Sequence, residues 1–155
     1  MSKALAVARY ILERQRTAGD SVSPMQLIKL VYIAQGYMLG RHGRPLFDDE
    51  EVQAWKYGPV VPSVYRAVKE YRSAPVQAVR NAPEIDFTSA EREIMDLVAD
   101  KYARHDGVVL SAATHKAGTP WAQTWNRFGQ NAPISNDIIE NFYANLLKTP
   151  QHSSL

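Results

Sequence analysis

Trp55-Lys56-Tyr57-Gly58-Pro59-Val60-Val61-Pro62-Ser63-Val64-Tyr65 places three aromatic residues and two prolines in eleven positions. Gly58 can take a positive φ, and Pro59 and Pro62 fix φ and withdraw two backbone donors. The stretch is therefore expected to hold one shape while presenting Trp55, Tyr57 and Tyr65. It lies between a short extended segment and a helix, so it decides how the two pack. A preshaped aromatic surface suits recognition better than proton transfer.

Upstream, Leu5, Ala8, Ile11 and Leu12 recur at helical spacing within residues 4–16, with Gly19 just past the end. Ser23 and Pro24 then predict a second helix, serine as N-cap and proline at the first helical position, running to about Leu39 with Gly40 as terminator. From Met25 to Met38 the residues are apolar almost all round, the mark of a core helix. Lys29 interrupts this face. A lysine there could serve as a base or nucleophile of lowered pKa. The structural alternative is favoured, a packed stem whose ammonium reaches water or an acidic partner.

From Arg41 to Trp55 the period changes. Residues 45–47 and 51–55 read as two extended pieces joined by Asp48-Asp49-Glu50, which predicts a small hairpin or short sheet. Pro62 opens a third helix with Val61, Val64, Tyr65 and Val68 on one face. Residues 73–87 read as a surface loop with a short strand near Val76 to Val79. Thr88 to Glu91 resembles a capping box before a fourth helix, with Ile94, Leu97, Val98 and Tyr102 as its stripe. A short helix is expected at 110–115, ended by Gly118, and Thr119-Pro120 leads a turn carrying Trp121 and Trp125. A last helix opens at Ser135 or Asn136, runs through Ile138, Ile139, Phe142, Leu146 and Leu147, and stops at Thr149-Pro150. The fold class is mainly α, a compact helical domain with a small β element, over residues 1–150 with a frayed tail at 151–155.

The 155 residues suffice to bury about 70% of the unfolded surface in one core. The absence of cysteine rules out disulfides and thiolate metal sites and fits a reducing cytoplasm, the expected location. Arg9 cuts the apolar run from Ala4 to Ala8 short, so export is not expected, and no run approaches the roughly 20 apolar residues that span a bilayer. Residues 1–80 carry 12 Lys/Arg against 7 Asp/Glu, net +5, and residues 81–155 carry 6 against 9, net −3. The basic residues are dispersed rather than gathered into a stripe, which argues against nucleic acid as the partner.

Ser111 and His115, four apart on a predicted helix, share one face, and Asp106 or Asp100 could orient the histidine as in a nucleophile–base pair. No Gly-x-Ser-x-Gly elbow surrounds Ser111, which weakens the hydrolase reading. For His115 the structural reading is a hydrogen-bonded ring beside Trp121. The four histidines never take a close metal-ligand spacing, and there is no phosphate-binding glycine loop, so no catalytic residue, metal or cofactor is expected.

The run Leu27 to Tyr37, then Gly43-Arg44-Pro45-Leu46-Phe47, then Ala54 to Tyr65, and finally Thr114-His115 and Pro120-Trp121, resembles the Panacea-domain family. The resemblance spans roughly residues 5–125; residues 126–155 carry no motif of it. It implies a non-enzymatic antitoxin of a bacterial toxin–antitoxin pair, with a cognate toxin encoded by the adjacent gene as partner. It also implies a finer role, delivery of the toxin to the ClpXP protease, which would make ClpX a further partner. Rigid aromatic residues and arginine make good interface anchors. Lys56, Tyr57, Pro59, Val60 and Arg66 are the toxin-binding candidates, and Lys29, Trp55, Gly58, Tyr65, His115, Pro120 and Trp121 are the motif residues expected to hold the fold. Within the opening stretch Trp55 and Tyr65 are expected to be buried, and Lys56, Tyr57 and Val60 to face outward. The alternative class is a DNA-binding or transcriptional protein; a Ser/His hydrolase is the weaker one.

Overall fold

Residues 2–148 are described by a computed structural model. Ser2 caps α1 (Lys3–Thr17) by accepting from the Leu5 N–H, and the helix buries Leu5, Ala8, Ile11 and Leu12 as their spacing requires. Ser23 caps α2 (Pro24–His42) in a capping box with Gln26, the serine accepting from the Gln26 N–H and the glutamine side chain from the Ser23 N–H. All residues from Gln26 to Leu39 are buried, so α2 is the element on which the others pack. It does not stop at Gly40. It runs one further half-turn to Gly43, which takes the left-handed conformation at φ 70° and donates to the Leu39 carbonyl.

The expected hairpin between residues 45–47 and 51–55 does not form. The buried Gln35 side chain replaces a strand partner for 45–47: its Oε1 accepts from the N–H groups of Leu46 (2.7 Å) and Phe47 (3.2 Å), and its Nε2 donates to the Phe47 carbonyl (2.8 Å). The opening stretch is itself the hairpin. β1 (Val52–Trp55) pairs with β2 (Gly58–Val60) across the Lys56-Tyr57 turn, Trp55 opposite Gly58 and Gln53 opposite Val60. On its other side β1 pairs with β3 (Ala132–Ile134), Val52 opposite Ile134, giving an antiparallel sheet ordered β2-β1-β3.

α3 (Pro62–Val68) buries Val64, Ala67 and Val68 and tightens into a 3₁₀ turn at Lys69–Tyr71. The loop that follows forms no strand at 76–79; Val76 donates one hydrogen bond to the Val22 carbonyl, too little for a ladder. The Thr88–Glu91 capping box starts α4 (Ser89–Lys101). Its inner face is Ile94, Met95, Val98 and Ala99, so Met95 takes the place expected of Leu97, which is exposed. α5 (Gly107–His115) begins three residues earlier than expected because Asp106 caps it, accepting from the Val109 N–H at 2.9 Å. Thr119 caps α6 (Pro120–Phe128), and α7 (Asn136–Lys148) is the last helix of the described residues. The stop expected at Thr149-Pro150 and the tail 151–155 lie outside the described residues.

The most extensive helix contact joins α2 to α7. Gly36 and Gly40, one turn apart, leave a trough on α2 into which Tyr143 fits; a Cβ on Gly36 would lie 2.3 Å from the Tyr143 ring. Tyr143 also packs against Tyr32 and Tyr37, with ring centroids 6.0 and 5.8 Å apart, and the hydroxyls of Tyr37 and Tyr102 hydrogen-bond at 2.5 Å. Four buried tyrosines thus knit α2, α4 and α7 together.

Candidate functional site

The β1–β2 turn is held from three sides by side chains that reach its carbonyls. From α6, Trp121 Nε1 donates to Trp55 O at 2.6 Å; from α5, Ser111 Oγ donates to Tyr57 O at 2.6 Å; from α2, Lys29 Nζ donates to Pro59 O at 2.8 Å. Alternate carbonyls of a tight turn cannot all join the ladder, so each needs a donor from outside it. Gly58 completes the geometry. Its φ of 119° strains any other residue, and a Cβ there would sit 3.0 Å from the Lys29 ammonium.

Lys29 is 1% exposed and has a backbone carbonyl rather than an acid as its partner, against expectation. Burial without a counter-charge pushes its ammonium down to about 7. The stem is enclosed because Lys29 lies on the face of α2 that runs beneath the hairpin, where a core residue was needed and a donor for Pro59 as well.

The hairpin overhangs an open groove of about 400 Å³. Its base is the buried Ile28 and Val60, beside the half-buried Met25 on the first turn of α2. Trp55 and Tyr65, in edge-to-face contact at 5.0 Å, form one wall. Both are half-buried rather than enclosed, because one edge of each ring faces the groove. Tyr57 projects from the turn, 59% exposed, and Lys56, Lys69 and Arg72 stand around the mouth. The volume is in the range of sites that take a small ligand or an anchoring side chain.

The structure therefore brings together Lys29, Trp55, Lys56, Tyr57, Val60 and Tyr65 of the residues singled out from sequence. Val60 faces the groove base at 6% exposure instead of pointing outward, and Pro59 is buried, its carbonyl engaged by Lys29. Arg66 is exposed on α3 but does not line the groove. Sequence reasoning missed Met25, Ile28, Lys69 and Arg72. The signal was present for the last two: Lys69 follows Tyr65 by four residues and Arg72 by seven, the helical interval that returns to one face.

Ser111 and His115 do not form a nucleophile–base pair. The Ser111 hydroxyl is committed to Tyr57 O, and His115 Nδ1 faces the Ser111 carbonyl rather than its hydroxyl. Asp106 is the α5 cap and Asp100 pairs with Arg14, so neither orients the imidazole. His115 instead meets Trp121 edge-on at 5.2 Å, and Trp121 stacks on Trp125 at 5.0 Å, which fixes the indole that holds Trp55 O. Ser111→Ala is expected to lower stability by about 1–2 kcal/mol, because it strands the Tyr57 carbonyl. Chemical denaturation would measure this, and no change would show that water replaces the hydroxyl. Among the described residues no cluster of His, Asp or Glu could hold a metal ion, and no helix is long and apolar enough to cross a membrane.

The helical core, the hairpin and the aromatic signatures around it coincide with a family match over residues 27–122, and the chain belongs to that family: Antitoxin SocA-like, Panacea domain. Among curated proteins it is similar to Antitoxin SocA of Caulobacter vibrioides (strain NA1000 / CB15N), with 31% identity over 150 residues, covering 88% of this chain and 78% of that protein. No solved structure matches the chain.

Proposed function

We propose that this protein neutralises a cognate toxin, the product of the adjacent gene, by direct contact through the β1–β2 hairpin and the groove beneath it. The observation that carries this reading is Tyr57, a large aromatic side chain 59% exposed at the tip of a turn whose carbonyls are tied down by three separate helices. An aromatic residue held in place before binding gives up little conformational entropy on contact. Membership of an antitoxin family supplies the kind of partner.

Co-expression with the adjacent gene is expected to restore growth, and the two proteins to co-purify. Tyr57→Ala is expected to weaken the complex at least tenfold, as loss of an interface anchor does, without moving the melting temperature. A Tyr57→Ala protein that binds and neutralises like the wild type would remove the hairpin from the interface.

The finer form of the proposal is that the bound toxin is handed to the ClpXP protease. Toxin half-life then shortens only when this protein and the protease are both present; an unchanged half-life leaves sequestration as the mechanism.

A further inference from the structure

The groove mouth carries cations that no acid among the described residues neutralises. Lys56, Lys69 and Arg72 stand at its mouth, Lys29 lies in its base, and among the described residues no Asp or Glu lines it. Some cations elsewhere pair with acids, Lys3 with Glu91, Arg14 with Asp96 and Asp100, Arg80 with Glu70, while others such as Arg44 and Lys116 have no ion pair among the described residues. What sets the mouth apart is three cations around one opening that no acid of the described residues lines. The three cations of the mouth have no such ion pair among the described residues.

All three are exposed, and two of them lie over aromatic rings of the groove. Lys56 lies 5.5 Å over the Tyr57 ring and Lys69 5.8 Å over the Tyr65 ring, which keeps each ammonium beside the apolar slot. Arg72 follows the 3₁₀ turn at φ 56° and ψ −108°, a strained backbone for a residue with a side chain. Like charges around one opening repel, and an anionic group entering there relieves the repulsion. Between them the slot of Ile28, Val60, Trp55 and Tyr65 is apolar and gains nothing from a hydrated ion. An apolar anchor flanked by carboxylates on a single chain satisfies both halves.

We propose that the groove receives an acidic segment of the toxin, an aromatic side chain seated between Trp55, Tyr65 and Ile28 and flanking carboxylates paired with Lys56, Lys69 and Arg72. The identity of the partner rests on the antitoxin reading; the chemistry of the segment rests on the groove. Electrostatic pairing of this kind sets the association rate and its salt dependence, while the buried anchor sets the residence time.

The test uses the full chain and a fluorescein-labelled peptide of sequence Asp-Glu-Phe-Asp-Glu, followed by fluorescence anisotropy. Binding is expected, weakened at least tenfold when Phe is replaced by Gly, when the acids are replaced by Asn and Gln, or when the protein carries Lys69→Glu and Arg72→Glu. Both of those positions are exposed, so the double variant is expected to melt as the wild type does. Should it fail to fold, the two control peptides and a salt titration decide the matter without it. Equal binding of the acidic and neutral peptides overturns the proposal, and so does displacement of the acidic peptide by single-stranded oligonucleotide at lower concentration, which would make the groove a nucleic-acid site. The toxin arm separates the two layers of inference. A toxin that co-purifies unchanged with the double variant overturns the groove as its seat and leaves the antitoxin reading intact. A peptide that binds as expected while no adjacent gene product associates overturns the toxin as occupant and the antitoxin reading with it.

Discussion

Gly40→Ala is expected to destabilise the protein by about 1–3 kcal/mol, the cost of inserting a methyl group into a packed seam. Helix propensity alone predicts the opposite, since Ala is better than Gly inside a helix by about 1 kcal/mol. Packing decides the sign. A Cβ at Gly40 would lie 2.7 Å from the Tyr143 carbonyl carbon and 2.8 Å from the Ala144 nitrogen, both backbone atoms of α7 that no rotamer change can move. The helix as a whole must shift, which draws Tyr143 away from Tyr32 and Tyr37. Gly36→Ala meets the Tyr143 ring instead, and because that ring is 1% exposed among other aromatic residues it has nowhere to swing. Urea denaturation of the two variants measures the effect. A gain in stability for Gly40→Ala would mean that α7 does not dock on α2 as described.

Stability is expected to rise as the pH is raised from about 7 toward 9.5, and Lys29→Met is expected to abolish most of that rise. The folded state holds Lys29 near 7 while an unfolded lysine titrates near 10.4, so between these values the unfolded chain binds more protons and higher pH favours folding. Below pH 7 both states carry the charge and the burial penalty is present in full; toward pH 10 it is relieved. The full span corresponds to about 5 kcal/mol. The window closes near 10, where tyrosines begin to act in the other direction. Burial raises Tyr102 and Tyr143, so their phenols ionise first in the unfolded state and stability falls. Lys29→Met also gives up the hydrogen bond to Pro59 O, so the slope against pH, rather than stability at one pH, is the quantity to compare. A wild-type slope matching that of the variant would place the Lys29 ammonium in contact with water.

The helices were legible from sequence because their signals are local. Serine or threonine caps with proline or glutamate at fixed offsets located the starts of α2, α4 and α6, and apolar spacing placed the inward face of α1. The sheet was not legible in the same way. Residues 45–47 have strand-like composition, and only Gln35, ten residues upstream on another element, determines that they bond to a side chain instead. β3 lies nearly eighty residues from its partner β1, and no local pattern announces a pairing at that distance. Gly40 misled for a related reason: glycine ends helices and also admits close neighbours, and the choice between the two depends on α7. At the site, the turn and its aromatic residues were recognised as one unit. The donors that hold it were not, since Ser111 and Lys29 invite chemical readings until their distances to Tyr57 O and Pro59 O are known.

The three tryptophans of the chain, Trp55, Trp121 and Trp125, all belong to the hairpin and the helix that braces it, whereas the seam between α2 and α7 is built on tyrosine and phenylalanine. Light at 295 nm therefore interrogates the hairpin and the helix that braces it. Indole emission would register occupancy of the groove without any label, and a signal from a Tyr57→Phe, Tyr65→Phe variant, weighted to the remaining tyrosines, would follow the helical core. Coincident melting by the two would establish that hairpin and core unfold as one cooperative unit, and separation would establish that the recognition surface loosens by itself.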